Sequence, residues 1–78
     1  MAIPRIKLYS TRSCPNCRLV KKYLQARQLR FVEFDIQHSA RGRKEFERMG
    51  ARGVPVIIVG DQRIDGFDRR RLDAVLRP

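Results

Sequence analysis

The segment Ile6-Lys7-Leu8-Tyr9-Ser10-Thr11-Arg12-Ser13-Cys14-Pro15-Asn16-Cys17-Arg18-Leu19-Val20 decides how the rest of the chain is read. Ile6, Leu8 and Ser10 alternate with Lys7 and Tyr9, which is the period-2 signature of a β-strand over Arg5 to Ser10. A short loop, Thr11-Arg12-Ser13, follows. The apolar spacing then lengthens: Leu19, Val20, Tyr23 and Leu24 share one stripe, with Arg18, Lys21, Lys22 and Gln25 mostly off it. That is the pattern of an amphipathic helix. Pro15 stands where the first helical residue belongs, a position whose N–H would be unpaired in any case. Both cysteines of the chain, Cys14 and Cys17, therefore fall at a strand-to-helix junction.

Outward from this junction the pattern continues. Arg30 to Ile36 alternates Val32, Phe34 and Ile36 with Phe31, Glu33 and Asp35, predicting a second strand. One β-α-β step after the first, it is expected to pair in parallel through a right-handed crossover. Ser39 to Met49 reads as a helix capped by Ser39, with Phe46 and Met49 as its apolar stripe, Gly50 as its stop and Gly42 as its weak point. Val54-Pro55-Val56-Ile57-Ile58-Val59, bounded by Gly53 and Gly60, reads as a buried strand. Gly60-Asp61 marks a turn, from which Arg63-Ile64 returns as the second arm of a hairpin. Gly66 opens the last segment, and Asp68 is placed to cap a final helix whose buried stripe is Leu72, Val75 and Leu76. The order is β-α-β-α-β-β-α. It predicts an α/β fold, a four-stranded mixed sheet flanked by three helices, which resembles the thioredoxin-like arrangement.

The 78 residues leave room for one domain, residues 1–78, with 42% hydrophobic residues for a modest core. No run approaches the roughly 18 apolar residues of a membrane span. Met1-Ala2-Ile3-Pro4-Arg5 has no apolar signal core, so the chain is expected to stay unexported, in the cytoplasm, with no membrane partner. The net charge is +10, with 18 Lys and Arg against 8 Asp and Glu, and Arg outnumbers Lys 14 to 4. This is read as a basic solvated surface. Nucleic acid is not the expected partner, because Arg41, Arg43, Arg48 and Arg69 to Arg71 lack the interleaved aromatics of a stacking platform.

Two cysteines three positions apart close too small a loop to staple a fold. In an unexported chain beside a β-α-β pattern, C-x-x-C reads instead as a redox pair. Disulfide exchange requires a thiolate. A helix start, with its unpaired N–H groups and dipole, stabilises an anion at Cys14. Arg12 and Arg18 add positive charge, and Lys21 can contribute. Cys17, further along the same helix, is within reach of Cys14 and serves as the resolving thiol. A zinc site wants four ligands, and only His38 remains as a further soft candidate, so no metal is expected. A non-enzymatic module sharing a metal between two chains is the remaining alternative. Val54-Pro55 has two readings, a strand-start proline or a cis bond that shapes a site. Ile64-Asp65-Gly66-Phe67-Asp68 offers helix-start N–H groups to a carboxylate, although spacing alone favours a plain turn and cap.

Taken together and in this order, Tyr9 to Cys17, Gly53-Val54-Pro55 and Ile64 to Asp68 resemble the glutaredoxin family, over the span from Ile6 to Leu76. The resemblance implies a thioredoxin-like fold, an exposed Cys14 and a less exposed Cys17. It implies a cis Pro55 facing the pair, and a Val54 backbone that pairs with a bound peptide or glutathione like an added strand. It implies glutathione contacts from Arg12 and from Gly66, Phe67 and Asp68. It further implies a thiol–disulfide oxidoreductase with no bound cofactor, glutathione as electron-donating cosubstrate, and disulfide-containing proteins as substrates. The chain departs from the family pattern at Asn16, where many members have tyrosine, and at Thr11, the usual lysine position. It departs again at Asp65, the first glycine of the turn, and at Arg69, its second acidic residue. The Gly66-Phe67 step is also similar to a branch of redoxins that draw electrons from the flavoprotein thioredoxin reductase and serve ribonucleotide reductase. The expectation is therefore a monomeric dithiol reductase fed by glutathione, with the flavoprotein-fed redoxin as the alternative.

Overall fold

The structure, a computed structural model, describes residues 5–76, so the reading of Met1 to Pro4 as lacking a signal core lies outside it. The elements are β1 Ile6–Ser10, α1 Pro15–Ala26, β2 Val32–Asp35, α2 Ala40–Arg48, β3 Val56–Val59, β4 Gln62–Asp65 and α3 Arg69–Leu76. The sheet order is β2-β1-β3-β4. β1 pairs in parallel with β2 and antiparallel with β3, and β4 pairs antiparallel with β3. This is the expected thioredoxin-like mixed sheet. No described helix is long and apolar enough to cross a membrane.

The all-apolar β3 is explained by its position at the centre of the sheet, with helices on both faces. Ile57 and Val59 join Ile6, Leu8, Val20, Tyr23, Leu24, Ile64 and Leu72 in a core beneath α1 and α3. Val56 and Ile58 turn to the other face, where Tyr9, Phe34, Phe46 and Met49 pack under α2. The Ser39 hydroxyl caps α2 by accepting the Gly42 N–H at 3.0 Å, and Gly50 follows that helix with φ +69°.

Some expectations shift. Leu19 is 43% exposed, off the stripe that Cys17, Val20 and Leu24 complete. Each helical residue turns by about 100°, which carries Leu19 to the margin of the buried face. Val32 is 51% exposed, because β2 is an edge strand and the α2 cluster gathers Phe34 and Ile36 instead. Phe31 packs on the opposite core, under α1 and α3. β3 starts at Val56 rather than Val54, since Pro55 has no N–H to give a ladder.

Gly42 is more than a weak point in a helix. A Cβ there would meet the Cβ of Phe34 at 2.7 Å and the Ser39 hydroxyl at 3.1 Å. Only glycine lets α2 lie this close to β2. Gly42→Ala gains about 1 kcal/mol of helix propensity but overpacks backbone-near atoms at a cost of about 1–3 kcal/mol. The expected net result is a lower urea midpoint; an unchanged or raised midpoint would show that α2 is free to slide.

Candidate active site

Cys14 is the N-cap of α1, with extended backbone angles of φ −92° and ψ 110°. Its sulfur occupies the place where Ser or Asp usually offers an oxygen, and it accepts the Cys17 N–H at 3.2 Å. Pro15 at the first helical position has no N–H to leave unpaired, and the Cys17 amide, a first-turn donor with no intrahelical acceptor, is free for the sulfur. The sulfur thus faces the Cys17 amide and the unpaired donors at the start of α1. Cys14 is half-buried, whereas Cys17 is 1% exposed. Burial, followed by the hydrogen bond with Cys14, pushes the Cys17 thiol up to about 12. The two sulfurs are thus differentiated: one is reachable at the helix start, and the other is enclosed and held neutral.

The Val54-Pro55 peptide bond is cis. The Val54 carbonyl accepts from the Cys14 thiol at 3.8 Å, which places the Val54-Pro55 segment directly against the reachable sulfur. Pro55 is thus both cis and the residue before the strand, so each of its two sequence readings holds in part. The Pro55 carbonyl accepts the Gly66 N–H at 2.8 Å, and Gly66 has φ +78°. Val54, Pro55 and Gly66, with Arg52, Arg63 and Asp65, line an open cleft of about 440 Å³.

The remaining sequence candidates lie further out. Asp68 caps α3, its carboxylate accepting the Arg71 N–H at 3.1 Å. Phe67 packs edge-on against Tyr23 with ring centroids 6.4 Å apart, on the core side. Arg12 turns to Asp35, with 3.4 Å between Nε and Oδ2. Lys21 pairs with Glu33 at 3.2 Å. Two of the three cations expected beside Cys14 are therefore ion-paired elsewhere, while Arg18 donates to the Arg12 carbonyl at 3.3 Å. His38 is tied to Asp35 at 2.9 Å, and among the described residues no group of three or more His, Cys, Asp or Glu is placed to hold a metal.

Two features escaped the sequence reading. Arg63 grips Asp65 bidentately through one guanidinium edge, Nε and Nη2, at 2.7 and 2.9 Å, and holds its carboxyl below the usual range. Glu33, read only as part of the mixed face of a strand beside Phe31 and Asp35, lines a second cavity of about 300 Å³ together with Cys17, Ser10 and Lys21. The i,i+2 spacing of Arg63 and Asp65 on one strand face could have signalled the first, whereas the second depends on strand pairing and leaves no local signal.

Comparison with known proteins matches residues 6–64 to the glutaredoxin family model. The chain is 33% identical over 72 residues to a glutaredoxin-like 8.6 kDa protein in the rubredoxin operon of Clostridium pasteurianum, covering 91% of this chain and 96% of that protein. It is 32% identical over 62 residues to the glutaredoxin-like protein NrdH of Lactococcus lactis, covering 80% and 86% of the two chains. In three dimensions it resembles the NrdH-redoxin of Escherichia coli, a glutaredoxin-like protein with a thioredoxin-like activity profile. The TM-score is 0.84, at 26% identity, over 95% of this chain and 96% of that one.

Proposed function

The chain belongs to the glutaredoxin family of thiol–disulfide oxidoreductases, and from that premise we propose that it reduces protein and glutathione-mixed disulfides by a dithiol cycle in which Cys14 attacks and Cys17 resolves. The observation that carries this reading is the Cys17 amide on the Cys14 sulfur at 3.2 Å, with Cys14 reachable and Cys17 enclosed.

In the first step the Cys14 thiolate attacks one sulfur of the substrate disulfide. A mixed disulfide forms and the other substrate sulfur leaves as thiolate. In the second step the Cys17 sulfur attacks Cys14 Sγ. The substrate's remaining sulfur departs, and a Cys14–Cys17 disulfide closes. The Val54 backbone aligns the substrate as an added strand along the cleft. Gly66 keeps the far wall low, and for Arg12, Phe67 and Asp68 to contact a bound glutathione each would have to leave the partner it holds here, Asp35, Tyr23 and the Arg71 N–H respectively. The cycle needs no bound cofactor. A monomer in a reducing compartment, the cytoplasm, suits a pair that must return to the dithiol state.

A second reading takes the electrons from thioredoxin reductase and delivers them to ribonucleotide reductase. It is supported by the likeness to the NrdH proteins. It is also supported by Asp65, which places a carboxylate, engaged by Arg63, on the wall where glutathione would lie. The experiment follows NADPH oxidation with a small disulfide, coupled either to glutathione and glutathione reductase or to thioredoxin reductase, with Cys14→Ser as the blank. Turnover in the glutathione system is the expected result. Turnover only with the flavoprotein moves the chain to the second reading, and turnover in neither system contradicts both.

A further inference from the structure

The dithiol cycle leaves one proton unaccounted for. Cys17 must lose it to attack Cys14, yet burial keeps that thiol neutral across the physiological range. The cavity of about 300 Å³ lined by Cys17 is the place to look for an acceptor. β1 and β2 pair in parallel with Leu8 opposite Glu33, so Glu33 shares the face of Leu8 and Ser10, beneath α1. Its Oε2 accepts from the Ser10 hydroxyl at 2.7 Å and lies 3.2 Å from the Lys21 ammonium. Among the described residues nothing bonds its Oε1. The side chain is 33% exposed, so water reaches it from the cavity.

The other charged groups around this cavity do not compete. Arg12, Arg18 and Lys21 are cations. Asp35 has both oxygens occupied: Oδ1 accepts the Gln37 N–H at 3.0 Å, and Oδ2 faces His38 at 2.9 Å and Arg12 at 3.4 Å.

We propose that Glu33, held in place by Ser10 and Lys21, accepts the Cys17 proton through cavity water during the resolving step. This rests on the dithiol reading. The Cys17 S–H bond breaks, its proton passes to water, and a water proton passes to Glu33 Oε1. The sulfur lone pair forms the Cys17–Cys14 bond, and the electrons of the Cys14–substrate bond leave on the substrate thiolate. The carboxyl then returns the proton to solvent. Water is a fitting carrier, because the cavity is polar and has room for several molecules of about 30 Å³ each. Lys21 holds the carboxylate in place between turnovers.

The test uses the reduced full chain with substoichiometric 5,5′-dithiobis(2-nitrobenzoate), followed by stopped-flow absorbance. The first thionitrobenzoate released reports attack by Cys14, and the second reports attack by Cys17. A positioned base contributes about a hundredfold or more. Glu33→Gln is therefore expected to slow the second phase about a hundredfold and to leave the first within about twofold, with Glu33→Asp restoring most of the loss. The second-phase rate of the Gln variant should climb about tenfold per pH unit, following the thiolate fraction, a steeper rise than the parent's. Equal slowing of both phases, or an unchanged second phase, would overturn the inference. A parent that shows no first phase would overturn the dithiol reading beneath it.

Discussion

Cys14→Ser is expected to lower disulfide reduction by at least about a thousandfold, to the level of the buffer blank. A thiol is a few per cent ionised at neutral pH even when free, and a thiolate is intrinsically very nucleophilic. A serine hydroxyl at the same N-cap would accept the Cys17 amide just as well. The fold would therefore persist while the chemistry disappears. Cys17→Ser is expected to behave differently. The mixed disulfide still forms, but no internal thiol can release it. Protein disulfide reduction should stop after one half-reaction, whereas turnover on glutathione-mixed disulfides continues wherever free glutathione attacks in place of Cys17. Coupled NADPH assays on the two variants separate these outcomes. Equal activity in parent and Cys14→Ser would place the chemistry elsewhere in the chain.

The largest expected effect on the fold is that of Leu24→Ala. Leu24 is fully buried, at 0% exposure, in the core that joins α1, α3 and the centre of the sheet. Its carbonyl also accepts the Leu29 N–H at 3.0 Å, where the chain leaves α1. Truncating a buried leucine costs about 2–5 kcal/mol, the spread reflecting how far neighbours collapse into the hole. A chain of 78 residues is expected to have only about 4–12 kcal/mol in all. The melting temperature should fall by at least about 10 °C. Differential scanning calorimetry of the reduced protein checks this, and a fall of under a few degrees would mean that α1 is not a structural part of the core. Leu19→Ala, on the exposed margin of the same helix, should change stability little.

The contrast between Leu24 and Leu19 also shows what the sequence could and could not say. Periodicity identified all seven elements, because each is dominated by residues within one turn or one pleat of each other. It could not tell which edge of an apolar stripe faces the core. That is set by where neighbouring elements lie, as Leu19, Phe31 and Val32 demonstrate. At the site, the cysteine pair, the turn at Gly66 and the cap at Asp68 were legible, since each is a short motif whose backbone requirement is local, whereas Val54-Pro55 alone left a strand-start proline and a cis bond equally open and only the family resemblance implied the cis form. The partners of the cations were not. Arg12 reaches Asp35 and Lys21 reaches Glu33 only because β2 lies in parallel register beside β1. Gly42 carries the same lesson: a glycine in a helix reads as a weakness, and only the approach of Phe34 shows it to be a fit.

The central claim is that Cys14 attacks and Cys17 resolves. It is tested most directly by the rate at which each cysteine, alone, reacts with 5,5′-dithiobis(2-nitrobenzoate) at neutral pH. Cys17→Ser leaves Cys14, and Cys14→Ser leaves Cys17. Cys17 is 1% exposed and its thiol is pushed up to about 12, so both access and ionisation favour Cys14. The expected result is that Cys14 reacts at least about a hundredfold faster. Equal rates, or a faster Cys17, would contradict the assignment.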